Sequence, residues 1–173
     1  DSFQLAVVPE FLREGKALSD FMNPDKIVIG SLDNKKNDLV KNIFSYFKNK
    51  AEFIQTNLET AEMIKYTNNA FLATLISFSN EVANISEEIS GIDSFEVMNA
   101  LIEDKRITTI IDNQKIIPGI VEYLAPGCGF GGSCFPKDVK AIVGFASSIG
   151  AKTPLLDAVL SVNNERSDKI ISL

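Results

Sequence analysis

Residues 57–91 read NLETAEMIKYTNNAFLATLISFSNEVANISEEISG, and the change of pattern within them decides the fold class. Ala61, Ile64, Phe71, Leu72, Leu75, Ile76, Val82, Ile85 and Ile89 recur at helical spacing, and Gly91 is a good C-terminal stop. The spacing predicts one long helix. Upstream, the pattern is shorter and mixed. The apolar run 3–8 ends at Pro9 and predicts a buried strand. A short helix is expected over 15–21, stopped by Asn23-Pro24, and a second strand over 26–30 (KIVIG). Leu39, Val40, Ile43, Phe44 and Phe47 predict a helix over about 37–48, and 52–56 a third strand. Strand, helix, strand in this order marks an α/β layer. Three strands make a thin sheet, whose remaining strands are expected upstream of residue 1.

Downstream, Asp93-x-x-Glu96 resembles a capping box for a helix over 94–102. Pro136 belongs to the first turn of another helix, ending at Gly150. Thr153-Pro154-x-x-Asp157 starts the last one. The expected class is therefore mainly α with an α/β N-terminal piece, divided as 1–57 and 58–173, the second part all-helical. The stretch 116–132 is the one conspicuous long loop, with a helical turn around 120–124.

Composition narrows the chemistry. The 173 residues hold 17 Lys+Arg, 23 Asp+Glu, two Cys and no His. Without histidine there is no Ser-His-Asp or Cys-His arrangement and no imidazole proton shuttle. Proton chemistry must fall to Glu, Asp, Lys, Tyr or Cys. Two cysteines cannot complete a structural zinc site, so no metal is expected, and they are too few for a disulfide framework. A reducing, cytoplasmic setting is the expectation. The net charge of −6 argues against nucleic acid as a partner. No apolar run approaches the ~18 residues of a membrane span. The chain starts without Met and runs at once into a strand, which suggests a piece of a longer protein.

The densest chemical signal is residues 126–138, PGCGFGGSCFPKD. Glycine permits positive φ and close approach of backbone to a ligand. Cys134 stands just before a helix N-terminus, where the dipole favours a thiolate, and Lys137 adds positive charge. This route to an activated thiol needs no histidine. Asp138, one turn on, can accept a hydrogen bond or a proton. An inert cysteine in a tight interhelical loop is the competing possibility. A second segment, residues 9–17 (PEFLREGKA), leaves the C-terminal end of a strand, where ligands bind in open α/β sheets. Its Glu10 and Glu14 are either acid/base or ligand contacts or a solvated turn. In the third, Lys65 and Asn69 are four apart and share a helix face, beside Ile64, Phe71 and Leu72, which are expected to bury the neighbouring face. Lys65 is a candidate base or oxyanion partner, or an ordinary surface lysine.

Taken in order, PEFLREGKA, ETAEMIKYTNNAFLATLISFSNE, DKRI and PGCGFGGSCFPKD resemble the signatures of the UDP-glucose/GDP-mannose dehydrogenase family. The resemblance covers nearly the whole chain. It implies that 1–57 is the C-terminal part of a Rossmann-like nucleotide-binding domain, and 58–173 a central helical domain that carries catalysis and dimerisation. It implies NAD-dependent oxidation of C6 of a nucleotide sugar to the acid, with UDP-glucose favoured over GDP-mannose or a UDP-N-acetylhexosamine. Cys134 resembles the catalytic thiol; Lys65 and Asp138 match the residues that position water and stabilise the oxyanion. Glu10 matches the residue implicated in thioester hydrolysis. Phe11, Leu12, Asn69, Tyr123, Phe130 and Gly131 match substrate contacts, and Glu14 and Lys137 positions near the nicotinamide. Arg106 resembles the arginine that reaches the substrate of a partner subunit. The segment 106–129 looks longer than in common members. A competing hypothesis from another class is an assembly module without turnover, since most of the cofactor pocket is absent from these residues.

Overall fold

The computed structural model describes residues 5–32 and 38–171. They fall into two compact units, Asp1–Thr67 and Asn68–Leu173, with the division inside one helix.

The first unit runs β1 (Ala6–Val7), α1 (Ala17–Met22), β2 (Lys26–Ser31), α2 (Asp38–Ile43), a 3-10 turn (Ser45–Phe47), β3 (Glu52–Asn57) and the start of α3 (Leu58–Glu87). The strand order is β1-β2-β3. β2 and β3 pair in parallel, with Ile27 beside Phe53 and Val28 beside Ile54, as a helical crossover requires. β2 is central, and Ile27, Val28 and Ile29 are all buried; this is why KIVIG reads as a continuous apolar run. Ile27 and Ile29 pack with Phe47 into a core bordered by Val40, Phe44 and Phe53. Gly30 lies where α3 begins. A Cβ there would stand 2.6 Å from the Ala61 Cβ and 2.9 Å from the Asn57 carbonyl, so only glycine lets the helix start this close.

Three expectations change here. The strand expected over 3–8 is short in its described part, and Phe3 and Gln4 lie outside the described residues. It also runs antiparallel to β2, with Ala6 opposite Ser31 and Val7 opposite Gly30. The chain beyond Val7 therefore heads toward Lys26, at the amino ends of β2 and β3. The segment 9–17 leaves the carboxyl end of β1, as expected, but that end lies on the side of the amino ends of β2 and β3. The helix expected over 37–48 breaks after Ile43, and Asn37 lies outside the described residues. The tighter 3-10 turn, closed by the Phe47 N–H on the Phe44 carbonyl at 2.9 Å, carries Phe47 into the core.

The second unit contains the remainder of α3, then α4 (Ser94–Ile102), β4 (Thr109–Ile111), β5 (Gln114–Ile116), a 3-10 helix (Gly119–Leu124), α5 (Phe135–Ser148) and α6 (Pro154–Ile171). α4, α5 and α6 start where the capping signals place them, whereas α3 ends at Glu87, short of the expected stop at Gly91. Asp93 Oδ1 accepts the Phe95 N–H at 2.8 Å, and Gly91 and Gly150 take positive φ beyond the ends of α3 and α5. The core joins Ala70 and Ala73 of α3, Val139 of α5, Val159 of α6 and Phe130 from the glycine-rich loop. Small residues on α3 leave room for that ring. The mainly α class with an α/β piece stands, but the helical run is interrupted. β4 and β5 form an antiparallel hairpin, with Ile110 opposite Lys115. Asp112 and Asn113 at its tip have φ of 51° and 62°, the left-handed pair that a two-residue hairpin turn needs. Among the described residues no helix is long and apolar enough to cross a membrane.

Candidate active site

α5 begins at Phe135 with Cys134 as its N-cap residue and Pro136 in its first turn. The Cys134 side chain makes no capping bond and is exposed, with Sγ 3.7 Å from Ser133 Oγ. A thiol at this position stands at the positive end of the helix, where an anion is favoured. The Cys134 carbonyl accepts the Asp138 N–H at 2.9 Å, which fixes the thiol one helical turn from that carboxylate. Asp138 is buried, only 2% exposed. Its Oδ2 accepts from Asn69 Nδ2 at 2.6 Å and its Oδ1 meets Lys137 Nζ at 2.9 Å. Both oxygens are thus engaged, as a buried carboxylate requires. Cys134, Lys137, Asp138 and Asn69 form one group in the second unit.

The loop before Cys134 is tied down from beneath. Phe130 is buried, its ring edge-on to Phe135 at 6.1 Å, and Phe135 meets Tyr123 edge-on at 6.3 Å. Gly131 is exposed. The main chain at Gly127 and Phe130 is held by Asn80 of α3 and by Asn163 and Arg166 of α6. The sequence motifs do not single out these three residues. Their sign is a tertiary one: polar side chains buried on helix faces that look solvated in the sequence. Arg166 is itself oriented by Asn84 Oδ1 and Glu87 Oε1, both 2.8 Å from its Nη1. Hydrogen bonds from Lys169, then from Arg166, hold the Glu87 carboxyl below its ordinary value of 4.5. A carboxyl depressed in the folded state stabilises the fold above its ordinary value, and that contribution is lost as pH falls through the depressed one. Glu87→Gln is expected to flatten the loss of stability below pH 4.5, followed by urea unfolding at graded pH. An unchanged acid limb would contradict this.

In the first unit the structure gathers Glu10, Phe11 and Lys65. Lys65 Nζ is 3.6 Å from Glu10 Oε1 and 5.6 Å from the Phe11 ring centroid. Lys26 Nζ lies over the same ring at 4.5 Å. Glu10 Oε2 accepts the Leu12 N–H at 2.8 Å, which orients its carboxylate. The Lys65 side chain is only 16% exposed while that of Glu10 is 58% exposed, so the pair joins a sheltered cation to an accessible carboxylate. Phe11 and Leu12 are half-buried, and Glu14 is exposed in the turn before Gly15. Nearby, hydrogen bonds from Arg13 hold the Asp20 carboxyl down at about 2. Arg106 is exposed and forks onto Asp104, Nε to Oδ1 at 2.9 Å and Nη2 to Oδ2 at 2.6 Å. That bond holds the Asp104 carboxyl well below the usual range and raises the guanidinium.

Gly127, Gly129 and Gly132 have the G-x-G-x-x-G spacing of a dinucleotide turn. The context differs: a 3-10 helix precedes them, not a strand, and the space a Cβ would take at Gly129 is filled by Asn163 Oδ1, 2.5 Å away. This loop is not a pyrophosphate cradle.

The sequence matches the UDP-glucose/GDP-mannose dehydrogenase family, central domain, over residues 59–165, and the NAD binding domain of the same family over 1–48. It is 39% identical over 176 residues to the UDP-glucose 6-dehydrogenase AglM of Haloferax volcanii, covering 100% of this chain and 38% of that protein. It is 38% identical over 171 residues to the GDP-mannose 6-dehydrogenase of Pseudomonas putida, covering 99% of this chain and 36% of that one. The solved UDP-glucose dehydrogenase of the archaeon Pyrobaculum islandicum matches with a TM-score of 0.77 at 40% identity, over 94% of this chain and 34% of that one. The chain spans little more than a third of the length of these curated relatives.

Proposed function

This chain belongs to the UDP-glucose/GDP-mannose dehydrogenase family, and from that premise we propose that it serves the NAD-dependent oxidation of a nucleotide-sugar C6 alcohol to the acid, UDP-glucose to UDP-glucuronate. The observation that carries this is the exposed Cys134 at an open helix N-terminus, one turn from the buried Asp138. Oxidation of an alcohol to an acid passes through an aldehyde, and a covalent tether keeps that aldehyde from escaping. The Cys134 thiolate adds to C6 to give a thiohemiacetal, and loss of hydride from C6 leaves a thioester. Two NAD, bound in turn, would accept the two hydrides, and Glu14 and Lys137 are the residues proposed to hold the nicotinamide side. Water then cleaves the thioester. Glu10 is the accessible carboxylate proposed to take the water's proton, while Lys65 and Asp138 stabilise the oxyanion and place the water.

Phe11, Leu12, Tyr123, Phe130 and Gly131 are the proposed sugar-nucleotide contacts, with Asn69 bridging from Asp138. A homodimer through the helical part is also proposed. Phe71, Phe78 and Ile85 stand exposed at seven-residue spacing along α3 and support it. In that dimer Arg106 would reach the partner's substrate, and its fork onto Asp104 preorganises the guanidinium for an anion. The near-equal identity to UDP-glucose and GDP-mannose enzymes makes the substrate panel the test. Full-length protein is to be given NAD with UDP-glucose, GDP-mannose and UDP-N-acetylhexosamines in parallel. The expected result is NADH and uronate from UDP-glucose. Turnover of GDP-mannose alone would move the substrate, and none with any of them would overturn the activity.

A further inference from the structure

We propose that Asn163 and Arg166 are positioning residues for the Cys134 thiol, clamping the main chain of the loop that delivers it. This rests on the function proposed above. At two residues of that loop every main-chain polar group is taken by a buried side chain. The Gly127 N–H donates to Asn80 Oδ1 at 2.8 Å, and the Gly127 carbonyl accepts from Arg166 Nε at 2.9 Å. The Phe130 N–H donates to Asn163 Oδ1 at 2.7 Å, and the Phe130 carbonyl accepts from Asn163 Nδ2 at 3.0 Å. A single carboxamide thus closes a ring of two hydrogen bonds with one residue of the loop.

Loops at a surface ordinarily give their main chain to water. Here Asn80 is fully buried and Asn163 and Arg166 are each 8% exposed, so the polar groups are withdrawn from water to hold this loop. Burying an arginine is unfavourable unless it is paired, and here Nη1 donates to both Asn84 Oδ1 and the Glu87 carboxylate. Gly129 completes the fit. Its φ of +91° and missing Cβ admit the Asn163 carboxamide, which a side chain there would displace. From this anchor the Phe130 ring leans on Phe135, the residue immediately after Cys134. The thiol is therefore set from both sides, by the clamp before it and by α5 after it. Displacement of a reacting group by about 1 Å costs roughly 100-fold in rate.

The test uses the full-length protein and two variants, Asn163→Ala and Arg166→Gln. Each is assayed for oxidation of alcohol to aldehyde, which needs no thiol, for oxidation of supplied nucleotide-sugar aldehyde to acid, and for the sugar KM. A positioning role predicts that the aldehyde step falls about 100-fold. The alcohol step at saturating sugar should stay within about threefold of the parent, while KM rises, because the same clamp holds the proposed sugar contact Phe130. A purely structural role lowers both steps together, in proportion to folded protein. Folded variants that oxidise the aldehyde like the parent, equal loss of both steps, or failure of both variants to fold would each overturn the inference. Cys134→Ala serves as the control that separates the two claims. If it still oxidises the aldehyde, the proposed mechanism fails. If it is dead while both clamp variants behave like the parent, only the positioning role fails.

Discussion

Cys134→Ala in the full-length protein is expected to abolish acid formation while leaving the first oxidation measurable. An aldehyde carbon has no hydroxyl to lose a proton from, so the second hydride departs only after a nucleophile has added. Removing the thiol removes that adduct, and a water adduct is a poor substitute because it is not tethered to the protein. The loss should be at least about 10³-fold in acid formation, the scale seen when a covalent nucleophile is removed. NADH yield per sugar should halve, because only the alcohol is oxidised. Cys134→Ser should instead form an oxygen ester that turns over slowly, since the hydroxyl is a weaker nucleophile and a worse leaving group. Normal release of NADH and acid from Cys134→Ala would contradict the mechanism. Cys128, also exposed, has no helix N-terminus at its side chain, and its substitution by serine should be mild by comparison.

Lys65→Ala is expected to separate oxidation from hydrolysis. The ammonium is sheltered and sits 3.6 Å from Glu10, so one substitution removes the proposed oxyanion partner and unpairs the carboxylate proposed as base. Loss of one such electrostatic contact costs about 10²–10³-fold. The two oxidations should proceed, the thioester should accumulate, and release of acid should become limiting. Steady NADH production should give way to a burst. Lys65→Ala with unchanged hydrolysis would remove this residue from the scheme.

The parts of the fold legible in the sequence are those written in local pattern. The long helix is legible because its apolar residues repeat at the helical period over eight turns' worth of chain, and Gly150 stops α5 for a reason confined to itself. Asp93 and Pro136 mark helix starts in the same way. The β4–β5 hairpin was not legible from periodicity, because both its strands are exposed and carry no alternation of buried and solvated residues. Its one local sign is Asp112-Asn113, a pair suited to left-handed φ. The direction of β1 is set by pairing with β2, a non-local fact that the run 3–8 does not encode. The same division holds at the site. Cys134 and Asp138 stand out from the helix start that they share. Asn80, Asn163 and Arg166 do not, because a polar residue on a helix is ordinarily solvated, and only the glycine-rich loop folding over them makes them buried.

The most direct test of the central claim, that Cys134 carries the sugar between its two oxidations, is the location of the covalent intermediate. Full-length Lys65→Ala is mixed with UDP-glucose and NAD, quenched in acid during the burst, digested and mapped by mass. The account predicts a nucleotide-sugar acyl adduct on the peptide bearing Cys134, released by hydroxylamine and absent when NAD is omitted. Acid formation with the Cys134 peptide unmodified throughout, or an adduct on any other residue, would contradict it.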